Sequence, residues 1–292
     1  MPPGDPKAPV LDALRLAVKA GNEARAKELL YDVLRWSLAG AKADSLELDV
    51  EKLCQIRDER ACLRLVIRRA RRGESRGEQG AGSRFGGAPF LPPRMKWPRG
   101  PKGPLDFIGQ LDFAELAPMH RKELRLPNSG VLSLFYDLEN PTTGDDPTDR
   151  RAWKTCFVPT GAEGRFIADS EASDSVPLRM IDASFVRSSA PSEGHQVGGA
   201  PAWIQGDGRP QLALRAGGLS LTDIEGLIES ERRGTDVVSL AREANQWRLL
   251  WQIPSETGLF EWFGSGTLYV LIREDDLEAQ RFDKALCLAQ CS

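Results

Sequence analysis

The sequence predicts an α+β protein: a β-rich domain built from two pseudo-symmetric repeats, preceded by an N-terminal helical module. Three observations predict it. Residues 9–39 carry apolar side chains at helical spacing, the chain beyond residue 83 changes to short strand-type runs, and the tetrapeptide Gly86-Gly87-Ala88-Pro89 recurs as Gly198-Gly199-Ala200-Pro201. Helical periodicity of three and four residues and short β-branched or aromatic runs bury their apolar faces in different ways, so the switch marks a boundary. The boundaries read 1–58 for the helical module and 59–292 for the duplicated domain, with repeats at about 61–137 and 195–291.

In the module, Leu11, Leu14, Ala17 and Val18 fall on one helical face, and Ala20-Gly21-Asn22 supplies a stop and a new N-cap. Ala26, Leu29, Leu30, Val33, Leu34, Ser37 and Leu38 then form a second amphipathic face that ends near Gly40. The two helices are expected to pair antiparallel. A third short helix is expected from Val50 to about Arg57, with Asp49 as its cap.

From Ala61 the apolar residues Leu63, Leu65 and Ile67 alternate with Arg64 and Arg68, as in a strand with one wet face, although the same residues could continue a helix. Arg68 to Gly82 turns basic and then glycine-rich, a loop composition. Further strand candidates are Val131 to Tyr136, Trp153 to Val158, Trp247 to Ile253 and Thr267 to Ile272. Ser220 with Asp223 opens a helix that ends near Gly234, and Asp275 to Gln280 adds a turn or two of helix.

The repeat has three landmarks in the same order. After each Gly-Gly-Ala-Pro comes a glutamine inside an apolar run, Gln110 in Phe107-Ile108-Gly109-Gln110-Leu111 and Gln252 in Leu249-Leu250-Trp251-Gln252-Ile253. Each copy then reaches a glycine that opens a strand, Gly130 before Val131 and Gly266 before Thr267. The interval from first glycine to glutamine is 24 residues in one copy and 54 in the other, and the surplus contains the helix predicted over 221–232. A glutamine in an apolar strand must find partners, because an unsatisfied buried amide costs about 1–3 kcal/mol. Gln110 and Gln252 are therefore either equivalent core staples or the polar lining of a pocket between the repeats.

These landmarks resemble the YwqG-like family, a bacterial domain of unknown function. The matching text is Ser83-Arg84-Phe85-Gly86-Gly87-Ala88-Pro89, Trp97-Pro98, Phe107 to Leu111, Leu126-Pro127-Asn128-Ser129-Gly130-Val131-Leu132 and His195-Gln196-Val197-Gly198-Gly199-Ala200-Pro201. It continues with Gln205-Gly206-Asp207, Leu250-Trp251-Gln252-Ile253, Gly266-Thr267-Leu268-Tyr269 and Leu286 to Cys291, so that it covers about residues 61–292. The resemblance implies a duplicated, β-rich α+β domain with an extended segment before the first Gly-Gly, which favours a strand over Leu63 to Ala70. It implies no activity.

Composition narrows the function classes. The chain has 292 residues with 39 basic and 42 acidic side chains, so no global field attracts nucleic acid or anionic lipid directly. Two histidines, His120 and His195, exclude a histidine-rich metal centre, and five scattered cysteines suit a reducing compartment better than a disulfide framework. No signal-peptide pattern and no apolar run of membrane-spanning length occurs, so the expectation is a cytoplasmic protein without membrane contact. No P-loop, dinucleotide fingerprint, zinc-protease motif or nucleophile elbow is present, and Cys287 and Cys291 lack a second ligand pair. No catalytic residue, metal or cofactor is predicted.

Two readings of function remain. His195, Gln205, Asp207, Gln110 and Gln252 would line a pocket if the chain were an enzyme or small-molecule binder with its site between the repeats; His195 could equally hydrogen-bond across the second Gly-Gly turn. The preferred reading is a protein-binding inhibitor, concretely an immunity protein that covers the active site of a cognate bacterial toxin such as a basic nuclease. Local charge motivates it. Residues 57–76 carry eight arginines against Asp58, Glu59 and Glu74, whereas residues 137–182 carry ten acidic side chains against five basic ones. Asp145, Asp146, Asp149, Glu163, Asp169, Glu171 and Asp174 lie in that acidic stretch and would pair with a basic partner; a solvated surface is the plainer account of the same charges.

Overall fold

The computed structural model describes residues 61–71, 82–116, 124–144, 146–161, 165–166, 176–187, 191–206, 208–209, 212, 243–244 and 246–291, together with Ala13, Leu16 and Arg25. The chain divides into two compact units. One comprises Met1–Asp58, Asp145–Pro147 and Gln205–Trp247; the other comprises Glu59–Gly144, Thr148–Ile204 and Arg248–Ser292 and carries the sheet, apart from the first residue of one strand.

The strands are β1 (Ala61–Arg68), β2 (Arg84–Phe85), β3 (Phe90–Leu91), β4 (Asp106–Asp112), β5 (Val131–Tyr136), β6 (Trp153–Val158), β7 (Arg165–Phe166), β8 (Arg179–Arg187), β9 (Gln196–Val197), β10 (Trp247–Pro254), β11 (Thr267–Arg273) and β12 (Leu286–Gln290). Ten of them make one sheet in the order β12-β11-β10-β9-β1-β8-β2-β4-β5-β6, and β3 pairs with β7 separately. The strands pair antiparallel, from Thr267↔Gln290 at one end of the sheet to Val131↔Val158 at the other. Among the described residues the complete helical elements are short, namely α1 (Glu274–Glu278) and 3-10 turns at Pro147–Ala152 and Phe282–Lys284.

This overturns the α+β class with an N-terminal helical module. The described architecture is almost entirely antiparallel sheet. The helices predicted over 9–39, 50–57 and 221–232 fall on residues outside the described ones, apart from Ala13, Leu16 and Arg25. Physically, the apolar runs that follow residue 60 are strand-length and buried on both faces: every residue of β5 and of β12 is buried, and Leu249 to Ile253 of β10 likewise. Such runs give no alternation and need a sheet covered on both sides. By contrast β1 shows the predicted alternation, with Leu63 and Leu65 buried and Arg64 and Val66 exposed.

The centre of the sheet is the β1–β8 pair, from Ala61↔Arg187 to Arg68↔Met180. β1 precedes the first Gly-Gly-Ala-Pro in the chain, yet it lies beside β9, which opens the second. β8 precedes the second copy and lies beside β2, which opens the first. The outer strands also approach each other. Thr155 Oγ1 in β6 donates to the Phe282 carbonyl at 2.6 Å, Trp153 Nε1 to Ala285 O at 3.3 Å, and the Ala289 amide of β12 to Thr143 O at 2.8 Å. The sheet is thus curled towards a barrel rather than flat, as strand twist accumulated over ten strands favours.

Aromatic side chains fill the interior. Phe85 stacks on Trp251 at 5.3 Å and meets Phe260 edge-on at 5.2 Å; Phe260 leads to Trp262 at 5.4 Å, Trp262 to Tyr136 at 5.2 Å, and Tyr136 to Trp153 at 6.3 Å. Each such pair adds about 0.5–1.5 kcal/mol beyond area burial, and the chain of rings links β2, β5, β6 and β10. No helix among the described residues is long and apolar enough to cross a membrane.

Candidate functional site

The two Gly-Gly-Ala-Pro segments are held by the same set of bonds. In the first, Gln110 on β4 faces Arg84 across the ladder, accepts the Phe90 amide on Oε1 at 2.9 Å and donates from Nε2 to Gly82 O at 2.9 Å. In the second, Gln252 on β10 faces Gln196, accepts the Ala202 amide at 2.9 Å and donates to Gly194 O at 2.9 Å and Ser192 O at 2.7 Å. Arg84 donates to the Ala88 carbonyl, and Gln196 donates to Ala200 O at 2.9 Å. The paired glycines are left-handed in both, with φ of +61° and +71° at Gly86 and Gly87, and +68° and +75° at Gly198 and Gly199. A buried amide in an apolar strand thus organises each turn with both its donor and its acceptor. This is the staple alternative that the sequence leaves open.

Burial shapes the charged members. Arg84 is pushed down to about 10 by burial, against the pull of Glu115 and Asp112, and so stays charged at neutral pH. The Glu115 carboxylate accepts the Ser83 amide at 2.7 Å. The second segment gains further ties: the Tyr269 hydroxyl donates to Ala202 O at 2.5 Å and Gln290 Oε1 accepts the Ile204 amide at 3.0 Å. Burial raises the Tyr269 phenol to about 12, so it remains a donor.

His195 sits just before the second Gly-Gly. Its backbone carbonyl accepts the Leu65 amide of β1 at 2.9 Å. Its ring packs on Phe85 at 5.2 Å and Phe260 at 6.3 Å, and Nε2 lies 3.5 Å from Glu256 Oε2. Nδ1 is buried and meets no hydrogen-bond partner among the described residues. Burial lowers the imidazole below its usual value, partly opposed by Glu256. The acid beside this histidine is Glu256, in the turn after β10, which sequence reasoning missed; a separation of 61 residues hid it. His195, Gln110 and Gln252 all belong to the sheet-bearing unit, whereas Gln205 belongs to the other unit and Asp207 lies outside the described residues.

Of the acidic residues assigned to a partner surface, Asp145, Glu163, Asp169, Glu171 and Asp174 lie outside the described residues. Asp146 is exposed. Asp149 is half-buried and its Oδ2 accepts the Gly144 amide at 3.1 Å, so this carboxylate shapes its own turn. Among the described residues no group of three or more His, Cys, Asp or Glu side chains could hold a metal ion.

No curated protein matches the chain. A protein-family model described as Domain of unknown function (DUF1963) matches residues 83–185 and 162–291. The first segment runs from just before β2 to β8 and the second from before β7 to β12, so together they span the two Gly-Gly-Ala-Pro motifs, both glutamine staples and most of the ten-stranded sheet. The chain belongs to the DUF1963 family.

Proposed function

We propose that the chain is a protein-binding inhibitor, most concretely an immunity protein that neutralises a cognate antibacterial toxin by covering its active site. The observation that carries this over an enzymatic reading is the use made of Gln110 and Gln252. Both amides have donor and acceptor engaged by backbone groups of the turns they hold, which supports a role in the fold over one in a pocket. His195 is wedged among Phe85 and Phe260, with its ring largely withdrawn from solvent.

The loops support a recognition role. The β5–β6 and β6–β8 connections carry the acidic excess of residues 137–182, whereas the corresponding connection from β11 to β12 is a short helix and a 3-10 turn. Loops that vary on a fixed scaffold are where binding residues are placed. An acidic loop would steer and pair with a basic toxin whose own active site attracts phosphate.

The test is protection. The tagged chain is purified from its native cell, the co-purifying protein is identified, and the two are co-expressed in a sensitive host. Stoichiometric recovery and restored growth are expected, and the combined variant Asp146→Lys, Glu163→Lys, Asp169→Lys and Glu171→Lys should lose protection while unfolding normally. Recovery of the chain without any stoichiometric protein partner would overturn the reading.

A further inference from the structure

A concavity of about 750 Å³ opens on the sheet-bearing unit where three segments converge: the turn around Arg99 and Gly100, the end of the Pro147–Ala152 3-10 turn with the start of β6, and the Phe282–Lys284 turn. Five cationic side chains line it, Arg99, Arg150, Arg151, Lys154 and Lys284, against one carboxylate, Asp283. Arg150 is held in place. Its guanidinium lies 5.5 Å from the Trp153 ring centroid, donates to Trp153 O at 3.3 Å and also donates to the Asp283 backbone carbonyl. That last bond ties the β6 side of the concavity to the Phe282–Lys284 side.

The other four cations differ. Among the described residues the side chains of Arg99, Arg151, Lys154 and Lys284 find no ion-pair or hydrogen-bond partner, although the fold pairs other arginines readily, as with Arg68 and Asp182 at 2.8 Å and Arg248 and Glu274 at 3.0 Å. Like charges gathered around one hollow repel, more strongly where its walls exclude solvent, and a bound anion would offset that repulsion. Guanidinium forks match phosphate oxygens, and ammonium groups add point charge. Met95, Pro98 and Pro101 line the same hollow and give it an apolar wall. The volume lies in the range of small-molecule sites.

We propose that this concavity binds a small phosphorylated molecule with at least two negative charges and an organic body. Arg150 would be the preset fork, Arg151, Lys154 and Lys284 the groups that close on the phosphate oxygens, and the Met95–Pro98 wall the contact for the organic part. The proposal stands apart from the inhibitor reading: it uses none of the acidic loop residues and needs no protein partner, so either can fail alone.

The test is calorimetric titration of the full chain with adenosine diphosphate, inorganic pyrophosphate and adenosine. Both phosphorylated probes should bind, more weakly as salt rises, and adenosine should not. Arg151→Glu and Lys154→Glu should each weaken binding by roughly 10–100-fold, as expected for loss of a charge-assisted hydrogen bond. Arg64→Glu, an equal charge change on the exposed face of β1, should change it less than twofold. These positions are exposed, and unchanged melting curves would confirm that the variants fold. The proposal is overturned if neither phosphorylated probe binds, if Arg64→Glu weakens binding as much as Lys154→Glu, or if an oligonucleotide binds where both small probes fail.

Discussion

Replacing the first glycine of each Gly-Gly-Ala-Pro by alanine is expected to give two different outcomes, although the two backbones are nearly alike. Gly86 has φ +61° and Gly198 has φ +68°. A left-handed non-glycine residue costs about 1–2 kcal/mol at either position. The surroundings then decide. A Cβ on Gly86 would lie 2.1 Å from Val176 O and 2.6 Å from Pro177 O, both backbone atoms. Relieving that overlap means moving the 176–177 segment, which also disturbs the Gly87 amide bond to Val176 O at 3.3 Å. Overpacking of this kind costs about 1–3 kcal/mol and the hydrogen bond about 1 more, giving roughly 3–6 kcal/mol in all. The atoms nearest a Cβ on Gly198 would be those of the Leu124 side chain, with Cδ2 at 2.7 Å, and a leucine tip can turn aside. Gly198→Ala should therefore stay near about 1–2 kcal/mol. Urea unfolding followed by tryptophan fluorescence measures both. Equal losses, or a larger loss at Gly198, would refute the assignment of the difference to backbone against side-chain contact.

Other outcomes follow from the same contacts. Gln252→Leu should destabilise by about 1–3 kcal/mol, with faster amide exchange at Ala202, because one buried amide serves three backbone groups. His195 has its imidazole lowered in the fold, so the unfolded chain takes up the proton first. Its contribution is intact above the usual value near 6.5 and is lost as pH falls below it, by at most about 1.4 kcal/mol per pH unit. Melting curves between pH 8 and 5 should show that slope, and His195→Gln should flatten it; an unchanged slope in the variant would refute the assignment. Among the described thiols, Cys291 should react first with a maleimide, since Cys62, Cys156 and Cys287 are buried and burial pushes Cys156 up to about 12. Peptide mapping would reveal the reverse order if this is wrong. Glu274→Gln should cost about 1.5–3 kcal/mol, because the buried carboxylate bridges Arg248 at 3.0 Å and Arg125.

The features legible in the sequence are those written in consecutive residues. Val131 to Tyr136, Trp153 to Val158 and Thr267 to Ile272 read as strands because aromatic and β-branched side chains crowd a strand-length run, and β5, β6 and β11 occupy those positions. Gln110 and Gln252 stood out because an amide in such a run needs partners, and they have them. β8 escaped notice: Asp182 and Ser184 interrupt Met180 to Val186, and its burial is mixed, so neither alternation nor an apolar run marks it. The overall class went wrong for a related reason. Strong helical periodicity near the N-terminus weighed against strand runs whose continuous burial carries no period. The basic hollow was illegible because Arg99, Arg150, Arg151, Lys154 and Lys284 come from three distant stretches, and the nearest charge signal, residues 137–182, averages to acidic.

The placement of β1 sets a timetable for synthesis. This strand leaves the ribosome before either neighbour it will hydrogen-bond, since β8 and β9 are made more than a hundred residues later. At roughly 5–20 residues per second it waits on the order of ten seconds with both edges open. The first half of the chain meanwhile lacks β8, the strand that covers β2. Neither half can be finished before the other begins, so the sheet closes late and in one step, as its many long-range pairings favour. During that interval the apolar Leu63 and Leu65 are an invitation to a chaperone or to a neighbouring nascent chain, and the arginines at 64 and 68 that alternate with them are the charges that keep such an edge from pairing indiscriminately.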